Sequence, residues 1–405
     1  MTTTTPPELV IDFDHHAAET SHHREQVLAR VQNHPLFYTE SNGGHWVVTS
    51  HALAKEVLRH PEIYSSEKRE DGTGGVTIPT VVGPRLIPAE IDAPYHRDMR
   101  KVLTPKFNKA AVDALTPAVE ALVVETIDHV LELGDFDVVE HIADVIPAGV
   151  MVRHLGFPDE TRKPFIESIQ AALSVMPKAS SGEMTPEILA GIEAFGGAVQ
   201  TIQDFVAMRK ADPTDDVVSY LCREEHGFTD DELLWIVFTL MVGGFENPAA
   251  LISNMLLRLA EDTELRARLA ADPALIPAAV DEFLRMVTAG VSLARNIVVD
   301  TELDGHKLRA GERILVWLPA ANLDPEAFDE PEAFRLDRGR CPHLAFGDGP
   351  HICPGDKLAR LQFHLLLREV LQRMPNYTVD LDRSERFDDA ATMYGWRTMP
   401  ASTGL

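Results

Sequence analysis

The stretch His343-Leu344-Ala345-Phe346-Gly347-Asp348-Gly349-Pro350-His351-Ile352-Cys353-Pro354-Gly355 decides how this chain is read. It places one cysteine in a glycine-punctuated turn, directly before the run Asp356 to Met374, which reads as helix. A thiolate in a protein interior needs compensation for its charge. Glycines permit backbone conformations that aim successive N–H groups at one anion. The N-terminal end of the following helix adds positive potential near the sulfur. The pattern therefore predicts a thiol with a lowered pKa, rather than a buried, inert cysteine. Phe346 is expected to wall this side with an apolar ring.

The rest of the chain sets bounds. It has 405 residues, 45% of them hydrophobic, ample for a large core. With no Gly/Ser-rich linker and no internal repeat, residues 1–405 are expected to form a single domain. Residues 1–15 are expected to be a loosely ordered N-terminal segment. The start lacks a basic region followed by an apolar run, and no stretch is expected to span a bilayer. Cys222, Cys341 and Cys353 show no pairing pattern, which fits a reducing cytoplasm. A net charge of −26 argues against nucleic acid and anionic membrane as partners. A monomer is expected. Two basic clusters interrupt this acidity: Arg97, Arg100, Lys101, Lys106 and Lys109, and Arg338, Arg340, Lys357 and Arg360. On one face they would form a docking patch for an acidic electron-transfer protein; apart, they are ordinary solvated surface.

Apolar residues at helical spacing predict helices over Ala52–His60, Val112–Leu133, Asp231–Ala260 and Leu275–Met286. Strand signals are short: His45–Thr49, a hairpin of Ala294–Leu303 with Lys307–Val316 around Asp304-Gly305, and Tyr377–Leu381. The class is mainly α with a small β part. The loop Asp71–Pro88 is long and Gly/Pro-punctuated, the pattern of a functional lid or a disordered segment.

Phe346, Gly347, Gly349, His351, Cys353 and Gly355 match the haem-binding loop of the cytochrome P450 family, F-G-x-G-x-H-x-C-x-G, at every fixed position. The resemblance runs from about His45 to the end. It implies the P450 fold and haem b with an axial thiolate from Cys353, a ligand that favours O–O cleavage. Glu282 and Arg285 match the family's E-x-x-R pattern and lie on one helix face. They imply a buried ion-pair network with Arg338 as third member. Ile91 to Arg100 resembles the family's D-x-P-x-H-x-x-x-R segment. His96, Arg100, Arg295 and His351 are the implied partners of the haem propionates, with Phe346, Gly347 and Gly355 cradling the haem.

Met241-Val242-Gly243-Gly244-Phe245-Glu246-Asn247-Pro248-Ala249 departs from the family's [A/G]-G-x-[D/E]-T-T. Gly243, Gly244 and Glu246 match; Asn247 replaces the usual Thr, and Pro248 the next. The glycines are expected to let small molecules approach the helix backbone, and Glu246 to relay protons. Asn247 can orient water or dioxygen but has no hydroxyl proton to pass on. Pro248 has no N–H, so the carbonyl of Gly244 loses its donor and a kink is expected. The motif is similar to the 1,8-cineole hydroxylase type in its Asn and to the guaiacol O-demethylase type in its Pro.

Thr239, Val242, Gly243, Val291, Leu293 and Met393 are the candidate substrate contacts, with Val76, Ile78, Val81, Leu173, Val175, Met176 and Tyr394 weaker ones. The resemblance implies a monooxygenase that uses O2 and a small, largely apolar substrate, monoterpenoid-like hydroxylation being favoured. Electrons would come from NAD(P)H through a separate reductase and a ferredoxin-type donor. Oxidative O-demethylation of an alkoxy-aromatic, peroxide-driven oxidation, and a non-catalytic haem-thiolate ligand sensor stay open as alternatives.

Overall fold

The computed structural model describes residues 9–81, 83–180, 185–389, 391 and 394–404, with backbone alone over 173–180. Helix makes up 56% of it, with small sheets. Its axis is the helix Asp230–Glu261, here the central helix. Thr229 caps it: its hydroxyl accepts from the Glu232 N–H, and the Glu232 carboxylate accepts from the Thr229 N–H. Three acids in the first turn, Asp230, Asp231 and Glu232, complement the helix dipole. Beyond that turn the helix is apolar on most sides because other helices surround it. By length and mean hydropathy, 1.4, it could cross a bilayer, contrary to the sequence expectation, but 72% of its apolar window is buried inside the protein.

The helix Val145–Leu155 packs against it so closely that a Cβ on Gly244 would lie 2.3 Å from the Met151 sulfur. Close helix–helix approach therefore requires this glycine. The central helix also continues unbroken through Pro248. Neighbouring helices hold it in line where the missing N–H would otherwise break it.

The main sheet has five strands in the order Leu36–Thr39, His45–Val48, Arg313–Trp317, Ser292–Ile297, Tyr64–Ser65. Arg313–Trp317 runs parallel to His45–Val48 and antiparallel to Ser292–Ile297. The hairpin read from sequence divides into this long pairing and a short Thr301–Leu303/His306–Leu308 ladder. Between them Val298 and Val299 turn outward, and Gly311 at φ 95° closes back onto Ile297.

Residues 9–15 are packed, not loose. Val10 bridges to Tyr38, and the Ile11 N–H donates to the Tyr38 carbonyl at 2.9 Å. Phe13 is fully buried, edge-on to Phe37 and Trp317. Its ring covers a sheet face that would otherwise be wet, which outweighs the polar look of this segment. The loop Asp71–Pro88 is likewise tied down. The Ala294 N–H donates to the Val76 carbonyl at 2.9 Å, and Arg313 donates to the carbonyls of Gly75 and Thr77 and to the Thr80 hydroxyl. Glu90 accepts from the N–H groups of Val76 and Leu86.

Candidate active site

The cysteine loop is built by its glycines. The Gly347 N–H donates to the Leu344 carbonyl at 2.8 Å, and the Cys353 N–H closes the turn onto the Phe346 carbonyl at 2.9 Å. Gly347 and Gly349 both sit at φ 70°. A Cβ on Gly349 would lie 2.4 Å from the Leu58 carbonyl oxygen, so the helix His51–Arg59 fixes the loop from behind. The helix Asp356–Arg373 starts directly after Gly355. Burial pushes the Cys353 thiol up, with the Gly355 N–H and the Arg100 guanidinium opposing and Asp356 adding to the rise. Burial therefore works against the expected lowering. Desolvation outweighs the backbone dipoles, and a thiolate here calls for a coordinating cation.

Cations converge beside this loop. The rings of His96 and His351 stack at 3.9 Å between centroids. Burial, with Arg295, His96 and Arg100 close by, pushes His351 down to about 2, and burial lowers His96. Both rings are therefore neutral at ordinary pH. Arg295 is 2% exposed and donates to the Ala294 carbonyl at 2.7 Å; burial lowers it to about 10, with Asp92 opposing. Arg100 is partly buried and close enough to Cys353 to couple with it. Asp92 accepts from the Ser65 hydroxyl at 2.5 Å and the Ser66 N–H at 3.1 Å, and lies 4.0 Å from the His351 Nε2.

On the central helix, Gly243 and Asn247 are exposed although Met241, Phe245 and Pro248 around them are buried. Among the described residues a Cβ on Gly243 would meet nothing within 4 Å, whereas one on Gly244 meets Met151, so Gly243 is the more open of the two glycines. Thr239 shares the face but turns its hydroxyl onto the Trp235 carbonyl at 2.7 Å. Val242 is half-buried against the core. Glu246 lies at the border of this face. Burial pushes its carboxyl up to about 8, and Oε1 has no hydrogen-bond partner among the described residues.

A short segment bridges helix and loop. A Cβ on Gly290 would lie 3.4 Å from Asn247 Oδ1, and one on Gly347 would lie 3.6 Å from the Leu293 side chain. Residues 290–293 thus span from Asn247 to the cysteine loop and lead into Arg295. Leu293 is half-buried; Val291 is 2% exposed and packs in the cluster that holds Ile78 and Tyr394. Met393 lies outside the described residues, as do the side chains of Leu173, Val175 and Met176. Val81 points outward, 36% exposed.

Behind the loop, Arg285 donates from Nε and Nη2 to the Glu282 carboxylate at 2.8 and 2.9 Å. Arg338 Nε lies 3.0 Å from Glu282 Oε1, out of line for a hydrogen bond, while its Nη groups donate to the carbonyls of Asp329, Glu330 and Ala333. Arg338 is thus spent internally and leaves the basic patch. Arg360 is engaged too, paired with Asp281.

The family model described as Cytochrome P450 matches residues 15–390. The chain belongs to the cytochrome P450 family. It is 30% identical to a steroid C26-monooxygenase of Mycobacterium tuberculosis over 355 residues, 87% of this chain and 92% of that protein. It is 31% identical to cytochrome P450 105C1 of a Streptomyces species over 333 residues, 82% and 81% of the two chains. The crystal structure of CYP109E1 from Bacillus megaterium with testosterone superposes with a TM-score of 0.84 at 26% identity, covering 96% of this chain and all of that one (100%).

Cytochrome P450 enzymes are haem monooxygenases that act with O2, an organic substrate and redox partners, and their haem iron takes a cysteine thiolate. The residues here fit that group. A lone cysteine sits on a glycine cradle, and Arg295, near Asp92, and Arg100, near Asp356, are cations suited to the two propionates. The sequence reading missed Asp144 and Gln170. Both share a small cavity with Glu246, and no motif marks them.

Glu246 gives a pH prediction. Its carboxyl is raised in the folded chain above its ordinary value, so the folded state holds more protons between about pH 4.5 and 8. Stability from this group is present at low pH and is lost as pH rises through about 8. Glu246→Gln is expected to flatten that decline, a difference of about 2–4 kcal/mol at pH 9. Denaturant titrations of both proteins at pH 5, 7 and 9 measure it; parallel declines would contradict it.

Proposed function

We propose that this P450 inserts one oxygen atom of O2 into a largely apolar, terpenoid-type substrate, with Cys353 as the axial ligand. The observation that carries this reading is the bridge of residues 290–293, which joins the open face at Gly243 and Asn247 to the cysteine loop. Haem, when bound, supplies the redox centre for dioxygen reduction and oxygen transfer. His96, Arg100, Arg295 and His351 hold its propionates; Phe346, Gly347 and Gly355 shape the thiolate side. Glu246, protonated near neutral pH, donates protons. Asn247 orients water through its amide, and the Gly244 carbonyl, without its helical donor, accepts a hydrogen bond from that water.

Val242, Val291, Leu293 and Ile78 supply apolar wall, the usual character of small-ligand sites. Monoterpenoids are our first substrate class, and alkoxy-aromatics the second. Relatives named for steroids, and the testosterone complex, support screening steroids beside them. Arg97, Lys101 and Lys109, exposed although each lies beside a carboxylate (Asp98 or Asp113), and the exposed Arg340 are our docking cations for a ferredoxin-type donor reduced by an NAD(P)H reductase. We place the protein in the cytoplasm, as a single-domain monomer.

The test is turnover with NADPH, a surrogate reductase and a ferredoxin, after a spin-shift screen of the three substrate classes. Hydroxylated product formed in proportion to NADPH consumed is expected, with Asn247→Thr keeping or improving that ratio. Product only on addition of peroxide, in both proteins, would sink the monooxygenase reading. Ligand binding without turnover in any system would favour the sensor.

A further inference from the structure

Beside the central helix lies a cavity of about 20 Å³, lined among the described residues by Val139, Asp144, Gln170, Glu246, Phe387 and Trp396 together with small residues of the helix. Glu246, Ala249, Ala250 and Ser253 recur at helical spacing, so one stripe of the helix forms a wall. The turn Val139–Ala143 and the residue after it, Asp144, form the opposite one. The space suits one water, which needs about 10–15 Å³ and two or more polar partners. Glu246 Oε1, buried and unpartnered, is one such group; Asp144 is another.

Asp144 is placed to connect this space with solvent. It is partly exposed, whereas the Glu246 carboxyl is interior. Gln170 Nε2 donates to Asp144 Oδ2 at 2.7 Å and holds the carboxyl in place. Burial pushes the Asp144 carboxyl up to about 6, with the Gln170 hydrogen bond opposing and Asp137 and Glu140 adding to the rise; His141 lies on the same turn, bonded to the Asp137 backbone. Phe387 and Trp396 close the remaining wall with apolar surface. Nothing in the family pattern used above involves Asp144.

We propose that Asp144 is the solvent-side carboxyl of a proton relay that runs through water in this cavity to Glu246. The inference rests on the reading of Glu246 as proton donor. Asp144 gives its proton to the cavity water, which gives one of its own to Glu246; solvent then reprotonates Asp144. No net charge accumulates in the cavity, since each proton that enters is passed on.

The test uses the haem-loaded protein and reads Glu246 directly. After transfer to D2O, the infrared band of the protonated Glu246 carboxyl, assigned by its loss in Glu246→Gln, shifts as the proton exchanges. Asp144→Asn, which keeps an acceptor for Gln170, is expected to slow that shift at least tenfold and to raise the solvent isotope effect on turnover. Asp144→Glu is expected to restore both; Asp144→Ser serves if the Asn variant does not fold. Exchange at the wild-type rate in the Asn or Ser variant overturns the role of Asp144. Unchanged product yield per NADPH in Glu246→Gln overturns instead the reading of Glu246 on which it stands.

Discussion

Arg285→Ala is expected to remove about 3–5 kcal/mol of folding stability, the range for stripping one partner from a buried ion pair. Arg285 has no exposed surface, and Glu282 is 1% exposed. Besides its two bonds to Glu282, Arg285 donates to the carbonyls of Asn322, Pro331 and Ala333 at 3.1, 2.6 and 3.1 Å. One guanidinium thus ties the helix Ile276–Val287 to the segment leading into the cysteine loop. Its loss takes the Arg285 donor from the carbonyls of Asn322 and Pro331, leaves the Ala333 carbonyl to Arg338 alone, and leaves a buried carboxylate held by Arg338, the Arg335 N–H and the Cys341 thiol. Against a total stability of roughly 5–15 kcal/mol, that is a large fraction. Arg285→Lys is not expected to rescue it, since an ammonium cannot reproduce the planar fork. Denaturant unfolding decides the point: a loss below about 1 kcal/mol would mean the network is incidental.

The second large effect is on chemistry. Cys353→Ser is expected to fold, because the turn is closed by the backbone bond from Cys353 to Phe346 and by Gly347 and Gly349, none of which needs the sulfur. Haem is expected to remain partly bound through Arg295, Arg100, His96 and His351. Turnover is expected to fall at least a hundredfold, about 2.7 kcal/mol in the barrier, since a hydroxyl cannot push electron density as a thiolate does. Product formation with NADPH and redox partners measures this. Wild-type turnover in a folded, haem-loaded serine variant would remove Cys353 from the mechanism.

The cysteine loop was legible because its chemistry fixes residue types at fixed spacing, and each glycine there meets a backbone constraint. The helices His51–Arg59, Lys109–Leu133, Asp230–Glu261, Ile276–Val287 and Asp356–Arg373 were legible from apolar periodicity, to within a few residues at the ends, whereas Arg162–Ser180 and Pro186–Ala211 were not read. The packing need for Gly244 was not legible, because sequence cannot tell a glycine that admits a ligand from one that admits a neighbouring helix; the Met151 side chain fills the space beside it. The segment 9–15 looked loose because three apolar residues, Leu9, Ile11 and Phe13, carry its packing, too few to register as a pattern. The direction of the Cys353 shift depends on burial, which the loop's own residues do not encode. Asp144 and Gln170 escaped notice because only tertiary packing brings them to Glu246.

The most direct test is the difference spectrum of the purified, dithionite-reduced protein with carbon monoxide. A strongly red-shifted Soret band in the wild type, absent in Cys353→Ser, is the result this account predicts. No haem absorbance after haem-replete expression, or the same red-shifted band in both proteins, would contradict it.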